Sequence, residues 1–238
     1  MDFLDPASPV HQQKLLERAI YLDRWDGPLN RAQRVLDLGG GIGRFVDPCV
    51  ERGCEIVVVD ADEESIRCGK RRYRGLPGVD FLCARAEALP DLGTFDLVIA
   101  CELLNYVDHP AAVVGQIRKS LRPGGTFLAS VEAQYGWAMA LDAPAGQLEA
   151  LLGDGIVSVE GDRWVRTFTP ESIRALLADF SVTDLAYTHF VLSGPFEVVA
   201  GELELHALLA AEARLRAHPV LGQLGRALTL TARAPASP

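Results

Sequence analysis

The chain is short of positive charge, of long apolar runs and of paired cysteines, and each shortage removes a class of function. Lys and Arg number 23 against 32 Asp and Glu, a formal net charge of −9. Binding along a phosphate backbone needs clustered Lys and Arg, so no nucleic-acid partner is expected. The one basic cluster, Lys70, Arg71, Arg72 and Arg74, falls at the end of an expected helix, where cations complement the negative end of the dipole. No apolar stretch approaches the ~20 residues of a membrane helix, so no membrane partner is expected. The opening MDFLDPASPVHQQ lacks the basic and apolar regions of a secretory signal. The five cysteines, Cys49, Cys54, Cys68, Cys83 and Cys101, are odd in number and contain no C-x-x-C pair. Neither a disulfide framework nor a metal site is expected from them, and a reduced, cytoplasmic setting is.

Two nucleotide signatures are also missing. No G-x-x-x-x-G-K-[ST] phosphate loop occurs, and the dinucleotide fingerprint G-x-G-x-x-G fails at its third glycine. Counting from Gly39 puts Arg44 there, and counting from Gly41 puts Val46 there.

What the chain does have is VLDLGGGIG, residues 35 to 43. It reads as a strand, Arg34 to Leu38, running into a turn of glycines, with a helix beginning near Ile42. Gly39, Gly40, Gly41 and Gly43 leave the backbone bare and free to take positive φ. A bare backbone at a helix start admits a polar ligand closely. Downstream, CEIVVVD (54–60), VDFLC (79–83), FDLVIAC (95–101) and Thr126 to Glu132 are apolar runs of strand length, alternating with helical patterns at 62–73 and 110–121. That alternation predicts a doubly wound parallel sheet. Its ligand would lie outside the strand C-terminal ends, where strand order reverses. Asp60 ends the second strand about 20 residues past the glycines, where a carboxylate can accept both hydroxyls of a ribose. Asp62 is the better cap for the following helix.

The run Asp37-x-Gly39-x-Gly41-x-Gly43 resembles the first motif, [DE]-x-G-x-G-x-G, of the class I S-adenosylmethionine-dependent methyltransferases. FDLVIACELL resembles that family's F-D-x-V-x-x-x-E-x-L segment, and LRPGG (121–125) its turn before the fifth strand. The resemblance covers residues 33 to 132. It implies a Rossmann-like seven-stranded sheet in the order 3-2-1-4-5-7-6 with the last strand antiparallel, and S-adenosylmethionine as cofactor with S-adenosylhomocysteine as product. It implies that Gly39, Gly40, Gly41 and Gly43 pass beneath the methionine part and that Asp37 helps position it. Asp60 with Ala61 would meet the ribose, Ala86 and Glu87 the adenine, and Cys101 and Glu102 would complete the pocket. Arg85 stands where the family often has an aspartate that takes the adenine amino group, and arginine cannot accept a hydrogen bond. No [ND]-P-P-[YF] follows the fourth strand, so methylation of a base's exocyclic amine is not expected.

The chain reads as one methyltransferase domain with four parts: a cap helix within 1–32, a cofactor-binding core at 33–132, a lid insertion at 133–169 and the rest of the sheet at 170–238. The cap helix is expected over 9–26 and ended by Gly27-Pro28, with Tyr21 and Trp25 either over the site mouth or in the core. The first crossover helix, 43–52, contains Pro48 and must be short or bent. The insertion reads as one or two short helices and a hairpin turning at Glu160-Gly161-Asp162. The expected activity is methyl transfer to a small molecule, at oxygen, nitrogen or carbon. His189, Tyr135 and Glu132 are the candidates for catalysis, with His109 behind them. Two other readings stay open: a protein of this fold that binds the cofactor without transferring a methyl group, and a nicotinamide-dependent oxidoreductase.

Overall fold

A computed structural model describes residues 7, 11–140, 145–158, 164–192 and 204–236. The strands are β1 (Arg34–Leu38), β2 (Glu55–Asp60), β3 (Val79–Cys83), β4 (Phe95–Cys101), β5 (Leu121–Glu132), β6 (Ile156–Ser158), β7 (Trp164–Arg166), β8 (Ser181–Thr188) and β9 (Ala227–Arg233). The helices are α1 (His11–Leu29), α2 (Val46–Glu51), α3 (Glu63–Arg72), α4 (Pro110–Ser120), α5 (Gln134–Ala140), α6 (Ala145–Leu152), α7 (Pro170–Leu176) and α8 (Leu205–Ala217).

Seven strands form one sheet in the order β3-β2-β1-β4-β5-β9-β8. With the small β6–β7 pair set aside, this is the expected order. The pairs from β3 through β5 are parallel, and β9 runs antiparallel to both its neighbours. The runs 54–60 and 95–101 are continuous apolar because helices cover both faces. One face packs under α1, α2 and α3 through Tyr21, Trp25, Leu29, Phe45 and Ile66. The other packs under α4 and α7 through Val113, Ile117, Ile173 and Leu177. Strand order reverses between β1 and β4, so the glycine turn after β1 and the residues after β4 open onto one crevice.

Three expected boundaries change. Helix α1 continues through Gly27-Pro28 to Leu29; a proline in the last turn forfeits a single ladder bond, and buried Leu29 holds the turn down. Helix α2 is the short alternative, beginning at Val46, so that Pro48 lies in its first turn. Strand β5 begins at Leu121 rather than Thr126. Leu121 pairs with Phe95 and Thr126 with Leu97, and the register shifts between them, which absorbs Arg122 to Gly125 as an irregularity inside the strand. Strand β8 stops at Thr188, leaving His189 just beyond its end with a left-handed φ of 64°.

Asp62 caps α3 by accepting from the backbone N–H of Glu64 and Ser65, and Thr169 caps α7 in a capping box with Ser172. Between β5 and α7, Trp137, Leu151, Val157 and Val165 form a small apolar cluster of their own. Strands β6 and β7 pair antiparallel as a hairpin requires; its turn at Glu160-Gly161-Asp162 lies outside the described residues.

Candidate cofactor and acceptor site

The glycine turn is held by its own backbone. The N–H groups of Gly39 and Gly40 donate to the carbonyl of Val59 at 2.7 and 3.3 Å, and that of Gly43 donates to Gly40 at 2.9 Å. Gly41 donates to Asp60 Oδ2 at 2.8 Å, and Asp62 N donates to Asp60 Oδ1 at 2.9 Å. Asp60 therefore ties the first strand-to-helix turn to the second, with its remaining lone pairs left for a diol. Gly39 and Gly41 take φ of 76° and 56°, which L side chains rarely adopt. Gly40 is needed for another reason: a Cβ there would lie 2.4 Å from Asp37 Oδ2 and 2.8 Å from Val58. Gly43 is a packing glycine, since a Cβ would meet Val46 at 2.7 Å and Tyr73 and Phe81 at 3.1 Å.

Two connected spaces open above this turn. A cleft of about 470 Å³ is lined by Gly39, Asp60, Ala61, Ala86, Glu87, Cys101 and Glu102 of the expected residues, together with Arg44, Leu103, Tyr106 and Asp108. A smaller cavity of about 80 Å³ is lined by Asp37, Gly39, Gly40, Gly41, Arg44, Phe45 and Cys101. Gly39, Arg44 and Cys101 line both. Gly43 lines neither. Arg85 is on the cleft wall, exposed, with its guanidinium 3.3 Å from Glu87 Oε1.

Asp37 sits beneath Gly40 at 1% exposure, and neither of its oxygens has a hydrogen-bond partner. Burial pushes its pKa up to about 7, against the opposing pull of Arg44. A buried carboxyl without donors is costly, and a cationic ligand in the smaller cavity would remove that cost. The residues therefore fit the amino-acid end of S-adenosylmethionine, as the cleft fits its adenosine.

The acceptor side is built differently. Tyr21 of α1 donates to Glu102 Oε1 at 2.8 Å and accepts from Ser130 Oγ at 3.1 Å. Ser130 also takes the backbone N–H of Glu102 at 3.1 Å, and Glu102 holds a left-handed φ of 59°. Arg44 lies 3.7 Å from Glu102 Oε1 and 3.6 Å from Glu17 Oε2, and Lys14 pairs with Glu17 at 2.6 Å. Although burial opposes ionisation, Arg44, Lys14 and the Tyr21 hydroxyl hold the Glu102 carboxyl down to about 2. Burial and the charge of Glu102 push Glu17 the other way. Arg44 lies between the two carboxylates, and the Tyr21 hydroxyl keeps Glu102 the ionised one. Tyr21 and Trp25 are fully buried and stacked 4.9 Å apart, so Trp25 is core, while Tyr21 is both core and site.

Of the three catalytic candidates, His189 lies deepest. Its ring packs on Tyr21 at 4.8 Å, its Nδ1 is 2.9 Å from Thr188 Oγ1, and its Nε2 is buried with no partner. Glu212 accepts the backbone N–H of His189 and of Val191 at 3.1 and 3.0 Å. Burial lowers the imidazole pKa to about 3, so the ring is neutral at physiological pH. Glu132 takes the indole N–H of Trp137 at 2.6 Å and Arg226 Nε at 3.0 Å, which fixes it between the sheet end and α5. Tyr135 is 43% exposed on α5, and His109 is exposed at the start of α4. None of these four residues lines the two spaces. Tyr106 lines the cleft and packs against the Trp137 cluster, so it joins the inserted segment to the cofactor side.

Sequence reasoning missed Arg44, Glu17 and Ser130. Arg44 was counted only as a spoiled glycine position, and nothing in the local pattern of α1 marks Glu17 as buried.

A Rossmann-like sheet with this glycine turn, a carboxylate ending the second strand and a cleft at the switch point defines the class I S-adenosylmethionine-binding fold. Comparison with known proteins gives the family. Residues 11–185 match the model of the methyltransferase domain family, and the chain belongs to that family. A ubiquinone biosynthesis O-methyltransferase of Parvibaculum lavamentivorans is 36% identical over 102 residues, 41% of this chain and 40% of that protein. The chain thus matches about two fifths of that relative's length, and 51% of a second such enzyme, from Idiomarina loihiensis. Among solved structures, an S-adenosylmethionine-dependent methyltransferase from Mesorhizobium loti superposes with a TM-score of 0.66 at 21% identity, over 92% of this chain and 99% of that one.

Proposed function

We propose that this protein transfers the methyl group of S-adenosylmethionine to a small-molecule acceptor, and that it does so as one domain in the cytoplasm. The observation that carries the reading is the buried, donorless Asp37 beneath a glycine turn whose far side is closed by Asp60. The five cysteines, all free thiols, support a reducing compartment. In this reading Asp60 and Ala61 hold the ribose, Ala86 and Glu87 the adenine edge, Gly39 to Gly41 and Asp37 the methionine part, and Cys101 and Glu102 the wall beside the sulfur.

The bound cofactor supplies an activated methyl group, so the protein's task is alignment and exclusion of water. Helix α1, through Tyr21 on Glu102, and α5, through Trp137 on Glu132, flank the acceptor side. Glu102, kept ionised and fixed by Tyr21 and Arg44 on the cleft wall, presents a hydrogen-bond acceptor to a substrate hydroxyl or amine, and the neutral His189 is buried behind it against Tyr21. With a pKa near 3, His189 is a weak base and acts by positioning Tyr21 rather than by stripping a proton ahead of transfer. Glu132 holds Trp137 and Arg226 in place at the rim. Oxygen is the acceptor atom favoured, because the curated relatives include O-methyltransferases.

The test is to incubate the purified chain with methyl-labelled S-adenosylmethionine and panels of phenols, hydroxy acids and amines. The expected result is acceptor-dependent S-adenosylhomocysteine formation, strongest with a phenol and reduced in His189→Ala. Tight cofactor binding with no turnover on any panel would favour the binding-only reading.

A further inference from the structure

Asp37 raises a question that the fold alone does not answer: why a carboxyl is buried where nothing donates to it. The N–H groups of the turn's four glycines are committed elsewhere. Those of Gly39 and Gly40 go to Val59, that of Gly41 to Asp60, and that of Gly43 to Gly40. The charged and titratable groups around it give no net help. From β2, the Asp60 carboxylate repels a second negative charge. From α2, the Cys49 thiol is itself pushed up by burial and by Asp37. From the end of β4, the Cys101 thiol is pushed up to about 12 by burial. Among the described residues Arg44 is the single cation acting on Asp37, and its guanidinium is shared with Glu17 and Glu102.

We infer that cofactor binding at this turn is proton-linked and that Asp37 is the linked group. In the free protein its carboxyl keeps its proton beside a cavity of about 80 Å³. When the cationic amine of the cofactor's amino-acid end enters, the O–H bond breaks, the proton leaves to solvent, and the carboxylate pairs with the ammonium. No other atom changes partner. The inference rests on the proposed cofactor, and it adds a pH dependence that the cofactor motif by itself does not carry.

The sign follows from linkage. Below a free-state pKa of about 7, each binding event expels a proton, so affinity rises with pH. The slope approaches about tenfold per pH unit. Above that pKa the carboxyl is already ionised in the free protein, and the dependence levels off. S-adenosylmethionine and S-adenosylhomocysteine both carry the amine and share the same profile.

The experiment is calorimetric titration of the full chain with S-adenosylhomocysteine at about pH 6 and about pH 8, in phosphate and in imidazole buffer, which both hold over that range and differ in ionisation enthalpy. The expected result is a binding enthalpy that depends on the buffer at the lower pH, corresponding to nearly one proton released, and much less at the higher. In Asp37→Asn the buffer dependence disappears and the affinity no longer changes with pH. An infrared difference spectrum of the wild-type chain, which needs no variant to fold, should show a protonated-carboxyl band lost on ligand addition. Binding with no buffer dependence would overturn the inference and leave the proposed function standing. Proton release that survives in Asp37→Asn would overturn the assignment to Asp37. Failure of the wild-type chain to bind the ligand at either pH would overturn the proposed cofactor itself.

Discussion

The two halves of the site are made of different materials. At the cofactor half, the defining bonds are short in sequence and mostly involve backbone: Gly41 to Asp60 spans 19 residues and Asp62 to Asp60 spans 2. At the acceptor half they are side-chain bonds between distant elements: Tyr21 to Glu102 spans 81 residues, Ser130 to Tyr21 spans 109, and Arg226 to Glu132 spans 94. A backbone cradle fixes one ligand by shape and tolerates little change. A side-chain cluster assembled from α1, β4, β5 and the end of β8 can be re-tuned one residue at a time. That division suits a protein with one cofactor and an acceptor of its own.

The largest expected effect breaks the cradle. Gly40→Ala places a methyl group 2.4 Å from Asp37 Oδ2, and overpacking of this kind costs about 1–3 kcal/mol of stability. S-adenosylhomocysteine binding should fall by roughly a hundredfold or more, read by calorimetry. Gly41→Ala is the control: its Cβ has room, with Asp60 Oδ2 at 3.9 Å, but its φ of 56° makes it strained by about 1–2 kcal/mol. It should bind more tightly than Gly40→Ala. Equal losses would mean that backbone conformation, not the fit to Asp37, sets the cradle.

A second effect separates the halves by pH. His189 keeps its pKa near 3 when folded, against 6.5 as the reference value. Between these values the unfolded chain binds the extra proton, so folding stability falls as pH drops from 6.5 toward 3, by up to about 1.4 kcal/mol per unit. Denaturant melts across that range should show the slope, and His189→Gln should flatten it. The smallest effect confines itself to the acceptor half. Tyr21→Phe removes one hydroxyl and should cost about 1 kcal/mol of stability, while cofactor affinity falls by no more than about fivefold, because Glu102 on the cleft wall loses one donor and keeps Arg44 beside it. A large loss of cofactor affinity there would erase the distinction between the halves.

The same contrast explains what the sequence disclosed. The glycine turn, Asp60 and the doubly wound sheet are local or periodic, and they read directly from residues 34 to 60 and from the alternation to 132, while the strand order came with the family resemblance. The antiparallel closing strand followed from the family resemblance and stands in the structure as β9. Glu17, Arg44 and Ser130 carry no local signature, since only packing of α1 over the sheet turns a charged helical residue inward. His189 stands just past β8 with a left-handed backbone, and its N–H is held by Glu212 from α8, which no pattern in β8 foretells. The boundaries that moved, at Pro28, Val46 and Leu121, are all places where tertiary contact outweighed a turn signal.

The most direct test of the account is calorimetric titration of the wild-type chain and of Asp60→Ala with S-adenosylhomocysteine and with NADH. Asp60 accepts from the turn and, in this account, from the ribose as well. The account predicts roughly micromolar binding of S-adenosylhomocysteine by the wild-type chain, at least about tenfold weaker binding by Asp60→Ala, and none of NADH by either. Binding of NADH without the adenosyl ligand, or an Asp60→Ala variant that binds as tightly as the wild type, would contradict it.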